Sequence, residues 1–77
     1  MSEWIQMKSE GTILTDARNK LGLTQQQVAF KADIQLRQYQ RFENGERNLT
    51  SSSFRIAYAV LKALKLSVDK FMKGDYC

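Results

Sequence analysis

Apolar positions along this chain recur at helical spacing. Leu14, Ala17 and Leu21 fall three and four residues apart and predict a first helix over 12–21, with Asp16 near its positive end, Lys20 near its negative end and Gly22 as its stop. Val28, Ala29 and Ala32 mark one buried face of a second helix over 25–32, which the Thr24 side chain can cap. Ala29 is small enough to let another helix cross closely. Asp33 interrupts the pattern, Ile34 supplies a buried plug, and a third helix is predicted over 35–43 with Tyr39 and Phe42 inward and Asn44-Gly45 closing it. Beyond a loop at 45–49, the run Thr50-Ser51-Ser52-Ser53 offers caps for a longer helix reaching about residue 64. Phe54, Ala57, Tyr58, Leu61 and Leu64 form its apolar stripe, widened by Ile56 and Val60, with Arg55, Ala59 and Lys62 on the wet side. Ser67 caps a last short helix from Val68 to about residue 72, where Asp69 and Lys73 match the helix dipole. With no Pro and no alternating run that reads as a strand, the pattern gives a compact all-α bundle of five helices.

Seventy-seven residues suit a single domain over 1–77, with room for one core and none for a deep active-site cleft. A content of 43% hydrophobic and 26% charged residues puts the chain in the globular range. Residues 1–10 carry Trp4, Ile5 and Met7 and read either as a short helical turn or as a loosely held arm. Cys77 is the only cysteine, so no intrachain disulfide is possible, metal-ligand spacing is absent, and its thiol reads as free and inert. There is no His, no phosphate-cradling glycine loop and no pair of carboxylates at a plausible site, so the reading is not an enzyme and needs no cofactor. The N-terminus lacks a signal-peptide layout and no apolar run approaches the ~18 residues of a membrane span, which places the protein in the cytoplasm without a membrane partner. No segment resembles a domain for a small-molecule ligand.

Charge changes the picture only modestly. The net charge of +4 is compatible with a polyanionic partner, but residues 24–48 carry four cations against three anions, and most of the excess lies beyond residue 48. The third helix is nevertheless distinctive in residue type: Gln35, Arg37, Gln38, Gln40 and Arg41 lie on its polar face, and their paired donors and acceptors match the edges of guanine and adenine. The bland account of the later lysines is a solvated helix face. Tyr39 and Phe42 are read as core, not as stacking aromatics, because their spacing continues from Ile34.

The string LxxARNKLGLTQQQVAxKA from Leu14 to Ala32, followed by a turn and a helix ending FENGER, resembles the phage Cro and repressor family of helix-turn-helix domains, also called the XRE family. The resemblance runs from about Ile13 to Phe71, with Gly22-Leu23-Thr24-Gln25, Ala29 and Glu43-Asn44-Gly45 as its most specific pieces and a helix-turn-helix core at 24–45. It implies a lambda-repressor-like fold and a transcriptional regulator, a repressor, whose third helix enters the major groove of double-stranded DNA. Gln35, Leu36, Arg37, Gln40 and Arg41 then face base edges, Arg37 and Arg41 suited to guanine, Gln40 to adenine and Leu36 to a thymine methyl. Gln25, Gln38, Asn44 and Arg47 become backbone contacts. Arg18 and Glu43 occupy the positions of a structural ion pair between the first and third helices. A homodimer on an inverted repeat is also implied, with Val68, Phe71 and Met72 as candidate contacts between copies, core burial of Val68 and Phe71 being the alternative. Three departures stand out: Asp33 where glycine is common at the turn, Leu36 where a polar residue is common, and a fourth helix about one turn longer. The rival to DNA binding is a protein-interaction module on the same fold, one half of a two-protein regulatory pair.

Overall fold

The computed structural model describes residues 9–73, so the expectations for Trp4, Ile5, Met7 and Cys77 lie outside the described residues. Five α-helices fold in chain order, and no strand occurs among the described residues. α1, Glu10–Leu21, starts before its apolar pattern does, because the Ser9 hydroxyl accepts from Thr12 N–H at 3.2 Å and supplies the cap. It ends at Gly22, which takes the left-handed conformation at φ 69, and Leu23 N–H reaches back to the Arg18 carbonyl at 3.1 Å. α2, Gln25–Ala32, opens with a reciprocal capping box: Thr24 Oγ1 accepts from Gln27 N–H at 3.1 Å and Gln27 Oε1 from Thr24 N–H at 2.8 Å.

The turn after α2 keeps the geometry that glycine usually provides. Asp33 sits at φ 59 and ψ 44, and Ile34 N–H closes on the Ala29 carbonyl at 3.0 Å. Aspartate tolerates this region better than most residues. α3, Leu36–Asn44, begins one residue later than its pattern suggests, with extended Gln35 in the cap position. A 3-10 turn, Leu49–Ser51, leads into α4, Phe54–Ala63, capped by Ser53, and then α5, Val68–Lys73, capped by Ser67. Lys65, at φ 58, makes the left-handed turn after α4 without glycine, and Leu66 N–H returns to the Leu61 carbonyl at 2.9 Å.

Leu14, Val28, Tyr39, Phe42, Leu49, Val60, Leu61 and Leu64 fill the centre. α2 lies along α4, and α1 crosses α3. Three sequence expectations need correcting. The buried stripe of α4 is Ala57, Val60, Leu61 and Leu64, while Phe54 is 71% exposed and stacks on exposed Tyr58 with ring centroids 6.2 Å apart. Those aromatics sit one helical turn apart on a line rotated off the Val60 face, and Ala59, assigned to the wet side, packs against the core. Leu21, the last residue of α1, reaches the surface, and Ile13 is buried instead, one turn before Ala17 and beside Leu14 on the inward face. At the far end, Phe71 is buried and Val68 packs on the core, so of the candidate dimer contacts only Met72 is exposed. Ile34 is half-buried against the core.

The α1–α3 crossing depends on a residue with no side chain. A Cβ on Gly11 would stand 2.4 Å from the Glu43 carbonyl oxygen, so the two backbones touch only because position 11 is glycine. Glu10 fastens the same end of α1 by accepting from Thr50 N–H at 3.2 Å and Thr50 Oγ1 at 2.6 Å. Gly11→Ala gains up to about 1 kcal/mol of helix propensity but forces the crossing apart, an overpacking cost of about 1–3 kcal/mol. The expected outcome is a net loss of stability, read as a lower midpoint in thermal or urea unfolding. An unchanged or raised midpoint would show that the crossing relaxes freely.

Candidate nucleic-acid interface

The inner side of α3 is held by a carboxylate. Glu43 has a side chain only 4% exposed, yet the Arg18 guanidinium meets it twice, Nε to Oε2 at 2.7 Å and Nη2 to Oε1 at 3.2 Å. Arg18 spends a further N–H on the Leu23 carbonyl at 3.0 Å, which fixes the α1–α2 turn. Gln25 Nε2 donates to Glu43 Oε1 at 2.9 Å, and the Tyr39 hydroxyl donates to Glu43 Oε2. Three helices therefore converge on one carboxylate.

The protonation states follow from that convergence. Burial alone pushes the Glu43 carboxyl up, but hydrogen bonds from Arg18, Tyr39 and Gln25 outweigh it and hold its pKa below 4.5. Burial, then the charged carboxylate beside it, drives the Tyr39 phenol above its ordinary 10.0. The bond to Glu43 raises Arg18, so the guanidinium stays charged.

Opposite this anchor, the outer face of α3 gathers side chains that the sequence nominated. Arg37, Gln40, Arg41 and Asn44 line one shallow groove, with the Glu46 carboxylate at its edge. Gln35 and Gln38 do not share it. They line a second groove with Lys31, Asp33, Ile34, Arg55, Ile56 and Ala59, on the α4 side of α3. Leu36 and Arg47 are exposed, and Arg47 N–H is tied to the Arg41 carbonyl at 3.3 Å. Gln25 lies on the opposite flank, where its Oε1 accepts from Gln40 Nε2 at 3.3 Å. The Gln25 side chain is thus half-buried and bonded within the fold. What α2 offers outward at that point is the N–H groups of its first turn beyond those taken by the Thr24 cap.

A profile of the helix-turn-helix family of the Cro and repressor type matches residues 14–71. The chain belongs to that family. No curated protein and no solved structure gives a significant match. Domains of this family are DNA-binding regulatory modules and not enzymes. Among the described residues, no helix is long and apolar enough to cross a membrane.

Several bonds of this helix-turn-helix site, though not its residues, were missing from the sequence reading. Tyr39 was placed as apolar core, yet its hydroxyl is spent on Glu43 one turn later. The i, i+4 spacing and the need of any buried phenol for a partner were the available signals. The Gln25–Glu43 and Gln25–Gln40 bonds join residues 18 and 15 positions apart, which no local pattern reveals.

The lowered pKa of Glu43 makes stability depend on acid. Above about pH 4.5 both folded and unfolded chains carry the carboxylate, and the pair contributes in full. As pH falls through the depressed folded value, the unfolded chain has already bound its proton and the contribution is lost. Tyr39 acts at the other limit: above pH 10.0 the unfolded phenol ionises first, so stability falls there too. Urea unfolding across pH should show both limbs, with Glu43→Gln flattening the acid limb and losing roughly 3 kcal/mol at neutral pH, and Tyr39→Phe flattening the alkaline one. An acid limb of unchanged size in Glu43→Gln would assign it to other carboxylates.

Proposed function

We propose that this helix-turn-helix protein is a sequence-specific regulator of transcription, a repressor, that reads the major groove of double-stranded DNA with α3. The observation that carries this reading is the groove of Arg37, Gln40, Arg41 and Asn44 on the outer face of a helix whose inner face is clamped to α1 and α2. Arg37 and Arg41 each have the fork of donors that pairs with guanine O6 and N7, and Gln40 has the donor and acceptor that pair with adenine. Leu36 and Gln35, at the exposed start of α3, complete the base-facing set. Gln25, Gln38, Asn44 and Arg47 contact the backbone, which fixes register and supplies salt-dependent affinity. One small module offers few base contacts, so the protein acts in the cytoplasm as a homodimer on an inverted repeat, with half-site centres about 10–10.5 base pairs or a multiple apart.

A second reading, a protein-interaction module, is favoured by one observation: Phe30 on α2 is 85% exposed beside Thr24, Gln26, Gln27 and Lys31, a surface that DNA does not need. Selection from random duplex DNA at two salt concentrations separates the two. An enriched inverted repeat whose retention falls with salt is the expected result. Absence of both enrichment and salt-sensitive retention would overturn DNA reading in favour of a partner protein.

The division of roles within the site is tested by repeating the selection with variants. Arg37→Ala and Arg41→Ala should each relax preference at one base position, at a cost of about 1–3 kcal/mol on the best site. Gln25→Ala should weaken every sequence alike. Uniform losses from all three variants would refute the assignment.

A further inference from the structure

Among the described residues, α4 keeps one line of its surface uncovered. Phe54 and Tyr58 stand one helical turn apart and exposed, their rings stacked with centroids 6.2 Å apart and planes 24° off parallel. Lys62 follows one turn further along the same line, with its ammonium 5.7 Å from the centre of the Tyr58 ring. Wet aromatic surface is costly, and the core does not claim it, because Ala57, Val60 and Leu61 are the residues that α4 buries. The line also points away from the reading helix. Ile56 and Ala59 help to wall the groove beside α3, and Tyr58 lies about 100° and Phe54 about 140° round α4 from Ala59, both in the same sense.

The charge around this line is one-sided. From Phe54 to Lys73 the chain carries five cations and a single carboxylate, Asp69, which Lys73 takes at 3.2 Å. α4 itself has no acidic residue. We propose that the line of Phe54, Tyr58 and Lys62 docks an acidic amphipathic helix of another protein, with an apolar side chain of that helix on the aromatic pair and a carboxylate one turn along it at Lys62. The spacing fits, since successive members of the line are one turn apart, the same repeat that puts i and i+4 side chains on one face of a partner helix. The stacked rings are already ordered, so less freedom is lost on docking than by two separate aromatics. A second copy suits the surface less, because pairing α4 with α4 buries Lys62 twice and brings no carboxylate from either helix. A nucleic-acid backbone answers the cations and leaves the apolar pair without a partner. The proposal stands apart from the reading of DNA by α3, whose outer face stays open when this line is covered.

The probe is a pool of synthetic helical peptides with Leu or Phe at i and i+4 on one face and Glu or Asp around them, beside a matched pool with Lys in place of the acids. Both are selected on the immobilised full chain. Retained peptides are then titrated against the native protein, Phe54→Ala, Tyr58→Ala, Lys62→Glu and, as a control at another exposed apolar residue, Met72→Ala. Expected are enrichment from the acidic pool alone, binding about 10-fold weaker in Phe54→Ala and Tyr58→Ala, a loss in Lys62→Glu that shrinks as salt rises, and native binding in Met72→Ala. All four positions are exposed, and far-ultraviolet circular dichroism checks that each variant is folded. No enrichment, enrichment from both pools alike, or peptides that bind folded Phe54→Ala and Tyr58→Ala as they bind the native protein would overturn the proposal. Sedimentation and binding to an unrelated duplex are measured on the same variants. Self-association lost in Phe54→Ala gives the face to a second copy, and weaker duplex binding there gives it to nucleic acid; either result overturns the proposal as well.

Discussion

Glu43 keeps its charge while its side chain is almost wholly out of water, and this constraint organises the helices around it. A lone carboxylate in that position would protonate or stay in solvent. Its oxygens are instead supplied by α1 through Arg18, by α2 through Gln25 and by its own helix through Tyr39, each from a different direction. Arg18 also holds the Leu23 carbonyl, so the turn between the first two helices is set by the same residue that balances the charge. Van der Waals packing of Leu, Val and Ala tolerates sliding of one helix past another. Directed bonds to a single carboxylate tolerate much less, and α3 is thereby fixed in rotation as well as in place.

The close contact at Gly11 works in the same direction. It lets α1 approach the C-terminal end of α3 until the backbones touch, which shortens the reach Arg18 needs. Rotation of α3 matters because a shift of one residue, 100° on a helix, exchanges the Arg37 and Arg41 face for that of Gln38. With Tyr39 and Glu43 locked inward, the outer face is decided, and the two grooves beside it acquire separate identities.

The helices, their order and most of their caps were legible because each rests on local signals: apolar spacing, Thr24 and Ser53 as caps, Gly22 and Gly45 as stops. The αL geometry of Asp33 was legible through a residue type that tolerates it, whereas Lys65 in the same geometry gave no such hint. The outer set of α3 could be named from residue chemistry, but its two grooves could not, since the wall that Lys31, Arg55, Ile56 and Ala59 raise beside Gln38 comes from other helices. The face of α4 was misjudged for a related reason. Phe54 and Tyr58 are apolar enough to be placed in the core by pattern, yet α4 packs on α2 with its Ala57, Val60 and Leu61 side buried and leaves the two aromatics outside. Tertiary coverage decides burial there, and hydrophobicity alone does not.

The anchor and the reading face are joined through the glutamines, and their chemistry permits both roles at once. A primary amide has two N–H donors and one carbonyl acceptor. Gln40 gives one N–H to Gln25 and keeps the other N–H and its oxygen, the donor and acceptor that an adenine edge requires. Gln25 likewise gives one N–H to Glu43, and on the proposed reading its second N–H meets a phosphate oxygen. Neither side chain must break its bond within the fold to meet DNA. If both meet DNA as proposed, each enters the interface already restrained, so less rotamer entropy is lost on binding than for a free glutamine at the same position. On the proposed reading, the polar clamp that holds α3 also preorganises the residues that contact the duplex, and the chain from Arg18 through Glu43 and Gln25 to Gln40 links fold stability to recognition.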